Sequence, residues 1–169
     1  MEPNESEDHD FARWVTPHLV MAANFCTRLV GPDRRDDLLQ DSLTRAWRKW
    51  ASFDPSRGTP RAWLLAIVAD QQRQEWRRVA RRAAAPVLAA PPTAEAIGGT
   101  ASVDTRIDLE VAIAQLARRQ RLAVDLYYFV GLDVAETAQV MGCSVGTVKS
   151  TLADARSRLR AELEAPDGS

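Results

Sequence analysis

Two cysteines are all that this sequence holds, Cys26 and Cys143. They stand far apart, form no CxxC pair and have no histidines grouped around them. That excludes a disulfide framework or a zinc ribbon, and it predicts two free, buried thiols in a reducing compartment. Long apolar runs are missing too. Nothing approaches the roughly 18 residues needed to span a bilayer. The first residues are acidic (Glu2, Glu5, Glu7, Asp8) and lack the basic and apolar pattern of an export signal. A soluble cytoplasmic protein is the expectation. An excess of either charge is also absent, the net charge being -1. The 169 residues, 46% of them hydrophobic, suit one medium domain or two small ones held by ordinary core packing.

The most informative stretch runs from Leu132 to Ser150 and reads as two short helices joined by a tight turn. Asp133 is placed to cap the first helix, and Glu136 three residues later completes a capping-box pattern. Gly142 stands where that helix needs a left-handed residue to end. Ser144 caps the second helix, whose apolar positions Val148, Leu152, Ala155, Leu159 and Leu163 fall on one stripe. Its other face carries Thr147, Lys149, Ser150, Thr151, Asp154, Ser157 and Arg158. This is the helix-turn-helix arrangement of DNA-binding domains, and the plainer alternative is a helical hairpin within a bundle. Caps, turn and stripe all agree with the first.

A DNA binder of net charge -1 makes sense only once the charge is mapped. Residues 10–82 hold fourteen basic residues against eight acidic ones, a balance of +6 that leaves -7 for the rest. One basic working surface in an otherwise acidic chain is implied, with weak binding to DNA unaided.

Taken in order, residues 10–30 form a first helical segment that Pro17 interrupts, ended by Gly31-Pro32. Asp33 then caps a second helix with Leu39, Leu43, Ala46, Trp47 and Trp50 as its buried stripe. Its acids precede its bases, which suits the helix dipole. Dipole placement leaves unexplained why Asp37, Gln40 and Asp41 share one exposed face, and a docking surface for a basic or polar partner is the alternative. Residues 51–58 are a loop marked by Asp54-Pro55 and Arg57-Gly58. Thr59 and Pro60 open a third helix whose core side is Trp63, Leu64, Ile67 and Val68. From Asp70 onward it turns polar: Gln71, Gln72, Arg73, Gln74, Arg77, Arg78, Arg81, Arg82. Interleaved glutamine and arginine can meet phosphates and base edges together, or simply form a solvated helix end. Trp47, Trp50 and Trp63 are assigned to the core; Trp76 is expected to pack rather than to stack on a base.

Residues 83–103 lack periodicity and are rich in alanine, proline and glycine, so they read as a flexible linker reaching at most roughly 70 Å. A second domain follows at Asp104. Ile107, Leu109, Ile113 and Leu116 stripe one helix; Leu122, Ala123, Leu126, Tyr127 and Val130 stripe another that Gly131 stops. The fold class is all-α: two small helical domains, 10–82 and 104–163, on a flexible tether. Neither encloses a sizeable ligand cavity.

The order of parts now becomes specific. Asp36-Asp37-Leu38-Leu39-Gln40-Asp41-Ser42-Leu43-Thr44-Arg45-Ala46-Trp47 resembles the signature of region 2 in bacterial RNA polymerase sigma factors. Leu116-Ala117-Arg118-Arg119-Gln120-Arg121 through Gly142-Cys143-Ser144-Val145-Gly146-Thr147-Val148-Lys149-Ser150 resembles region 4. With only these regions and a linker, the chain resembles the compact extracytoplasmic-function (ECF) group over about residues 10–82 and 104–163. The resemblance implies that Asp37, Gln40 and Asp41 dock on the clamp helices of the largest subunit of core RNA polymerase. It implies that Ser56, Arg57, Gly58 and Thr59 hold a base flipped from the minus-ten element of promoter DNA, at a cost of a few kcal/mol for extrusion. Asp70, Arg73, Gln74 and Arg77 would line that single strand. Thr147, Lys149, Ser150, Thr151, Asp154 and Arg156 would read the minus-thirty-five element in the major groove, helped by the amides at the helix start. It also admits an anti-sigma factor as a further partner, and it calls for no cofactor and no catalysis.

Three positions depart from the family's habit. Thr151 and Asp154 stand where arginine is frequent, which lowers phosphate affinity. Asp70 stands where a neutral amide is common; a carboxylate accepts from cytosine N4 but repels phosphate. Ala117 stands where proline usually follows that leucine, a change of little expected effect. Two rival readings remain. A stand-alone helix-turn-helix regulator would bind duplex DNA without polymerase, usually as a dimer on a palindrome, but leaves the Gln/Arg helix and the acidic face without a role. A magnesium enzyme using Asp33, Asp36, Asp37 and Asp41 lacks a companion cluster elsewhere.

Overall fold

The structure of the protein, a computed structural model, describes residues 5–83 and 103–164, with side chains described for 10–82 and 108–164. No strand occurs among the described residues. Contacts divide the chain into two units, Met1–Ala90 and Pro91–Ser169. The expected linker falls on residues 84–102, outside those described, and its two end residues, Ala83 and Val103, are helical.

In the first unit α1 (Glu5–Val15) and α2 (Leu19–Val30) are separated by a 3-10 turn, Thr16–His18. Pro17 sits in the first positions of that turn, where its missing N–H is harmless. Helix α1 begins five residues before the first expected position, in an acidic stretch that suits a helix N-terminus. Gly31 joins α2 to α3 (Pro32–Lys49) with φ 79° and ψ 171°. Nothing would crowd a Cβ there, so the backbone conformation alone calls for glycine. The structure corrects the expected cap: the N-cap of α3 is Gly31, Pro32 takes the first helical position, and Asp33 lies in the first turn. A second correction concerns Trp47, which is 42% exposed. The inward stripe of α3 is Leu39, Ser42, Leu43 and Ala46, continued by Trp50 just past its end, and its two smallest members are the fully buried ones. Trp47 is turned about 100° from Ala46 and leaves that stripe.

Helix α4 (Pro60–Ala83) is capped by Thr59, whose hydroxyl accepts from the Ala62 N–H at 3.3 Å. It packs on α2 and α3 through a core that includes Phe11, Val15, Ala22, Ala46, Leu64 and Ile67. Phe25, Cys26, Leu65 and Val68 are fully buried beside it, and burial pushes the Cys26 thiol up to about 12. Trp14 is the hub of an aromatic cluster. Its ring centroid lies 4.8 Å from Trp50, 5.4 Å from Phe53, 5.4 Å from Trp63 and 5.8 Å from Phe11.

The second unit contains α5 (Val103–Ala114), α6 (Arg118–Val124), α7 (Val134–Met141) and α8 (Val145–Glu164). Helix α6 runs on through a π-helical turn, Asp125–Phe129. Helices α5, α6 and α7 all pack on α8. The Ala117 N–H donates to Gln120 Oε1 at 3.3 Å, a bond that a proline at 117 could not make. Ile113, Leu116, Leu126, Val140, Val148, Leu152 and Ala155 are core residues. Leu109 (38% exposed) and Leu163 (46%) are not, because residues 160–164 are exposed on every face and α5 turns Leu109 outward. Ile107 lies outside the described side chains. Cys143, like Cys26, is free, but it is only half-buried.

The cap and turn of the helix-turn-helix give a stability prediction. Asp133→Ala should cost about 1 kcal/mol, and Gly142→Ala, which forces alanine to φ 63°, about 1–2 kcal/mol. Thermal unfolding followed by circular dichroism checks both; unchanged midpoints would contradict the local account.

Candidate nucleic-acid interface

The expected helix-turn-helix between Leu132 and Ser150 is set up by local hydrogen bonds at its caps and turn. Asp133 Oδ1 accepts from the Glu136 N–H at 2.8 Å, and Glu136 Oε2 accepts from the Asp133 N–H at 3.1 Å. The box satisfies two otherwise orphaned groups at the start of α7. At its end Gly142 is left-handed; its N–H donates to the Gln139 carbonyl, and the Cys143 N–H donates to the Ala138 carbonyl at 3.1 Å. This pair of bonds turns the chain sharply into α8. Ser144 Oγ then accepts from the Thr147 N–H at 3.1 Å.

Helix α8 exposes Lys149, Ser150, Asp154 and Arg156 to solvent, with Thr147 half-buried. Thr151 is different and corrects the expected polar face. It is 9% exposed, in register with Val148, Leu152 and Ala155, and its hydroxyl donates to the Thr147 carbonyl at 2.7 Å. A threonine that closes on its own helix can be buried with its polar atom satisfied. Ser150 Oγ donates to the same carbonyl at 3.0 Å from the solvent side.

In the first unit the loop before α4 is held at both ends. Phe53 packs on Trp14 and Trp63, each at 5.4 Å. Asp54 Oδ1 accepts from both the backbone N–H (2.9 Å) and the hydroxyl (2.7 Å) of Ser56. These bonds hold the Asp54 carboxyl below its ordinary range. Ser56, Arg57 and Thr59 are exposed and Gly58 is half-buried. Asp54 and Phe53 have no place among the sequence-derived site residues. The Asp54-Pro55 dipeptide was the available signal for the first; nothing local announces the second.

Along α4, Asp70, Arg73 and Gln74 are brought into one cluster, while Arg77 is exposed a turn further on. Gln74 Nε2 donates to Asp70 Oδ2 at 2.6 Å, and Arg73 Nη2 lies 3.5 Å from Asp70 Oδ1. Arg45 joins from α3, with Nη2 at 3.2 Å from Asp70 Oδ2 and Nη1 donating to Gln71 Oε1 at 2.8 Å. Arg78 pairs with Glu75 at 3.0 Å. Asp70 and the loop at Ser56–Thr59 are not brought together; from Thr59 they are about 16 Å apart along the helix. On α3, Asp37, Gln40 and Asp41 are all exposed. Their neighbour Asp36 is hydrogen-bonded to Arg35 Nε at 2.7 Å, which lowers its pKa. Among the described residues no group of three or more His, Cys, Asp or Glu is arranged to hold a metal ion. No described helix is long and apolar enough to cross a membrane.

Comparison with known proteins bears on both units. Residues 14–82 match the family model described as Sigma-70 region 2, and residues 106–159 match that of Sigma-70, region 4. The ECF RNA polymerase sigma factor EcfG of Rhodopseudomonas palustris is 34% identical over 137 residues, 78% of this chain and 72% of that protein. The RNA polymerase sigma-E factor of Streptomyces coelicolor is 35% identical over 160 residues, 94% of this chain and 88% of its own. Among solved structures, the sigma factor RpoE from Bartonella quintana, in complex with the anti-sigma factor NepR, has a TM-score of 0.76 at 27% identity. That match covers 93% of this chain and 98% of the other. CnrH, in complex with the cytosolic domain of CnrY, has a TM-score of 0.66 at 28% identity, covering 95% and 91%. The chain belongs to the ECF group of the sigma-70 family, the factors that bind core RNA polymerase and direct promoter-specific initiation of transcription.

Proposed function

We propose how this sigma factor divides its work among its residues. Residues 10–82 act as region 2, residues 104–163 as region 4, and 83–103 as the tether between them. Asp37, Gln40 and Asp41 dock on the clamp helices of the largest polymerase subunit. Ser56, Arg57, Gly58 and Thr59 hold an extruded minus-ten base, and Asp70, Arg73, Gln74 and Arg77 line the single strand. Thr147, Lys149, Ser150, Asp154 and Arg156 face the minus-thirty-five major groove. Thr151 supports that helix from inside instead of touching DNA. The protein works in the cytoplasm without a cofactor and catalyses no reaction. We extend to it a regulator of the kind bound to the solved relatives, an anti-sigma factor.

What supports this reading most is the separation of faces in the first unit. Asp37, Gln40 and Asp41 are exposed on α3, while the glutamine and arginine side chains continue from a buried core along α4. A free-standing duplex-binding regulator has no use for either. Phosphate contacts supply most non-specific affinity, so a chain of net charge -1 grips DNA weakly until a larger assembly holds both units on the promoter.

Run-off transcription tests the whole. The chain with bacterial core polymerase should initiate at a defined start site, and neither alone should do so. Asp41→Ala should weaken core binding roughly tenfold while leaving the melting temperature within the small range of surface substitutions. Equal losses of stability and affinity would contradict docking. For α8, Lys149→Ala should reduce the salt slope of holoenzyme binding to promoter duplex by about one, the signature of one phosphate contact. Thr151→Val should leave slope and sequence preference unchanged; a changed preference would return Thr151 to the DNA face.

A further inference from the structure

Asp70 lies at the edge of the buried side of α4, which still includes Gln72, 3% exposed, two residues on. The Asp70 side chain is 38% exposed and meets three partners at once: Arg45 at 3.2 Å, Arg73 at 3.5 Å and Gln74 at 2.6 Å. Arg45 comes from α3 and holds two consecutive residues of α4, since its other terminal nitrogen donates to Gln71 at 2.8 Å. A planar guanidinium suits such a two-point grip, which lysine could not reproduce. With Arg45 only 29% exposed, salt screens this pair less than an open surface pair.

Two consequences follow. The contact with Asp70 settles how the Gln74 amide is turned, because a carboxylate only accepts and so must face the nitrogen. One Gln74 N–H is thereby used inside the protein, and the carbonyl oxygen and second N–H remain for a base edge. The carboxylate also offsets part of the charge of Arg45 and Arg73, so less positive potential reaches a strand of phosphates passing over α4. A neutral amide at position 70 would lift that restraint.

We propose that Asp70, clasped from α3 by Arg45, is a positioning residue that orients Gln74 and Arg73, lowering affinity for single-stranded DNA and sharpening base selection. The proposal rests on the reading of α4 as the strand-lining helix. It gives Asp70 its effect through its neighbours, without requiring it to touch a base.

The test uses holoenzyme reconstituted from the full chain and core polymerase. The probe is a single-stranded DNA pool randomised over six positions, followed by the most enriched oligonucleotide. Asp70→Asn should bind a random strand roughly fivefold tighter, with a salt slope steeper by about 0.7, as for one additional phosphate contact. It should also flatten the base preference at one position, the same position that Gln74→Ala flattens. Arg45→Lys should flatten that position without steepening the slope. Weaker binding of Asp70→Asn with an unchanged slope and a lowered melting temperature would reduce Asp70 to a structural pair and overturn the proposal. So would a wild-type selection profile in that variant. If wild-type holoenzyme enriches no sequence at all from the pool, the strand-lining reading of α4 itself fails and the proposal falls with it.

Discussion

Helix α4 buries Ala62, Leu64, Leu65, Ile67, Val68 and Ala69 within its first ten residues. That packing against α2 and α3 carries the rest of the first unit. A helix seated firmly over one half holds its other half out as a rigid rod, at about 1.5 Å per residue. The spacing between the loop at Ser56–Thr59 and the side chains from Asp70 to Arg77 is therefore set by helix geometry instead of loop conformation. The aromatic cluster steadies the near end. Phe53 packs on both Trp14 and Trp63, and such ring pairs add about 0.5–1.5 kcal/mol each beyond area burial. The loop is then confined between Phe53 on one side and the Thr59 cap on the other, with Asp54 tying down its middle.

What could be read from the sequence was what local chemistry decides. The capping box of Asp133 and Glu136, the left-handed Gly142, the Ser144 cap and the Thr59-Pro60 start all stand as expected, because each needs only residues within one turn. The failures have a different cause. Spacing places Trp47 on the α3 stripe and its hydroxyl places Thr151 on the polar face of α8, yet burial depends on which side of the helix the packing covers. Trp47 lies off the Ser42–Ala46 line, and Thr151 lies between Val148 and Leu152. The Thr151 hydroxyl answers its own hydrogen bond, so burial costs it little. Arg45 gripping Asp70 and Gln71 had no local signal at all, since the partners are 26 residues apart for the Gln71 bond. Only the packing of two helices makes that contact.

Charge shows the same contrast between composition and structure. The excess of +6 over residues 10–82 overstates what reaches a ligand. Arg35 is paired with Asp36, Arg78 with Glu75, and Arg45 and Arg73 share Asp70. Each pairing removes part of a cation from the outward field. A basic surface reduced in this way would be expected to grip DNA only weakly against competing salt. A sigma factor gains from that weakness. Tight binding by the free chain would scatter it over non-specific sites, whereas docking through the acidic face of α3, as proposed, would leave the basic face of α4 available once polymerase is bound.

Helix α8 extends the argument to the second unit. Two of its hydroxyls, Ser150 and Thr151, close on the Thr147 carbonyl, and the Ser144 and Thr147 hydroxyls lie 2.9 Å apart. Its exposed charges are of mixed sign, with Asp154 lying between Lys149 and Arg156. If such a face meets DNA as proposed, its selectivity rests on directional contacts to base edges, which are individually worth about 1–3 kcal/mol of discrimination. Directional contacts fail when the helix is displaced by an ångström, so the reading helix needs rigid seating. The Schellman turn at Gly142 and the packing of α5, α6 and α7 on α8 supply it. In both units, then, the groups proposed to meet DNA sit on helices whose opposite faces are core, and selectivity comes from holding modest contacts still.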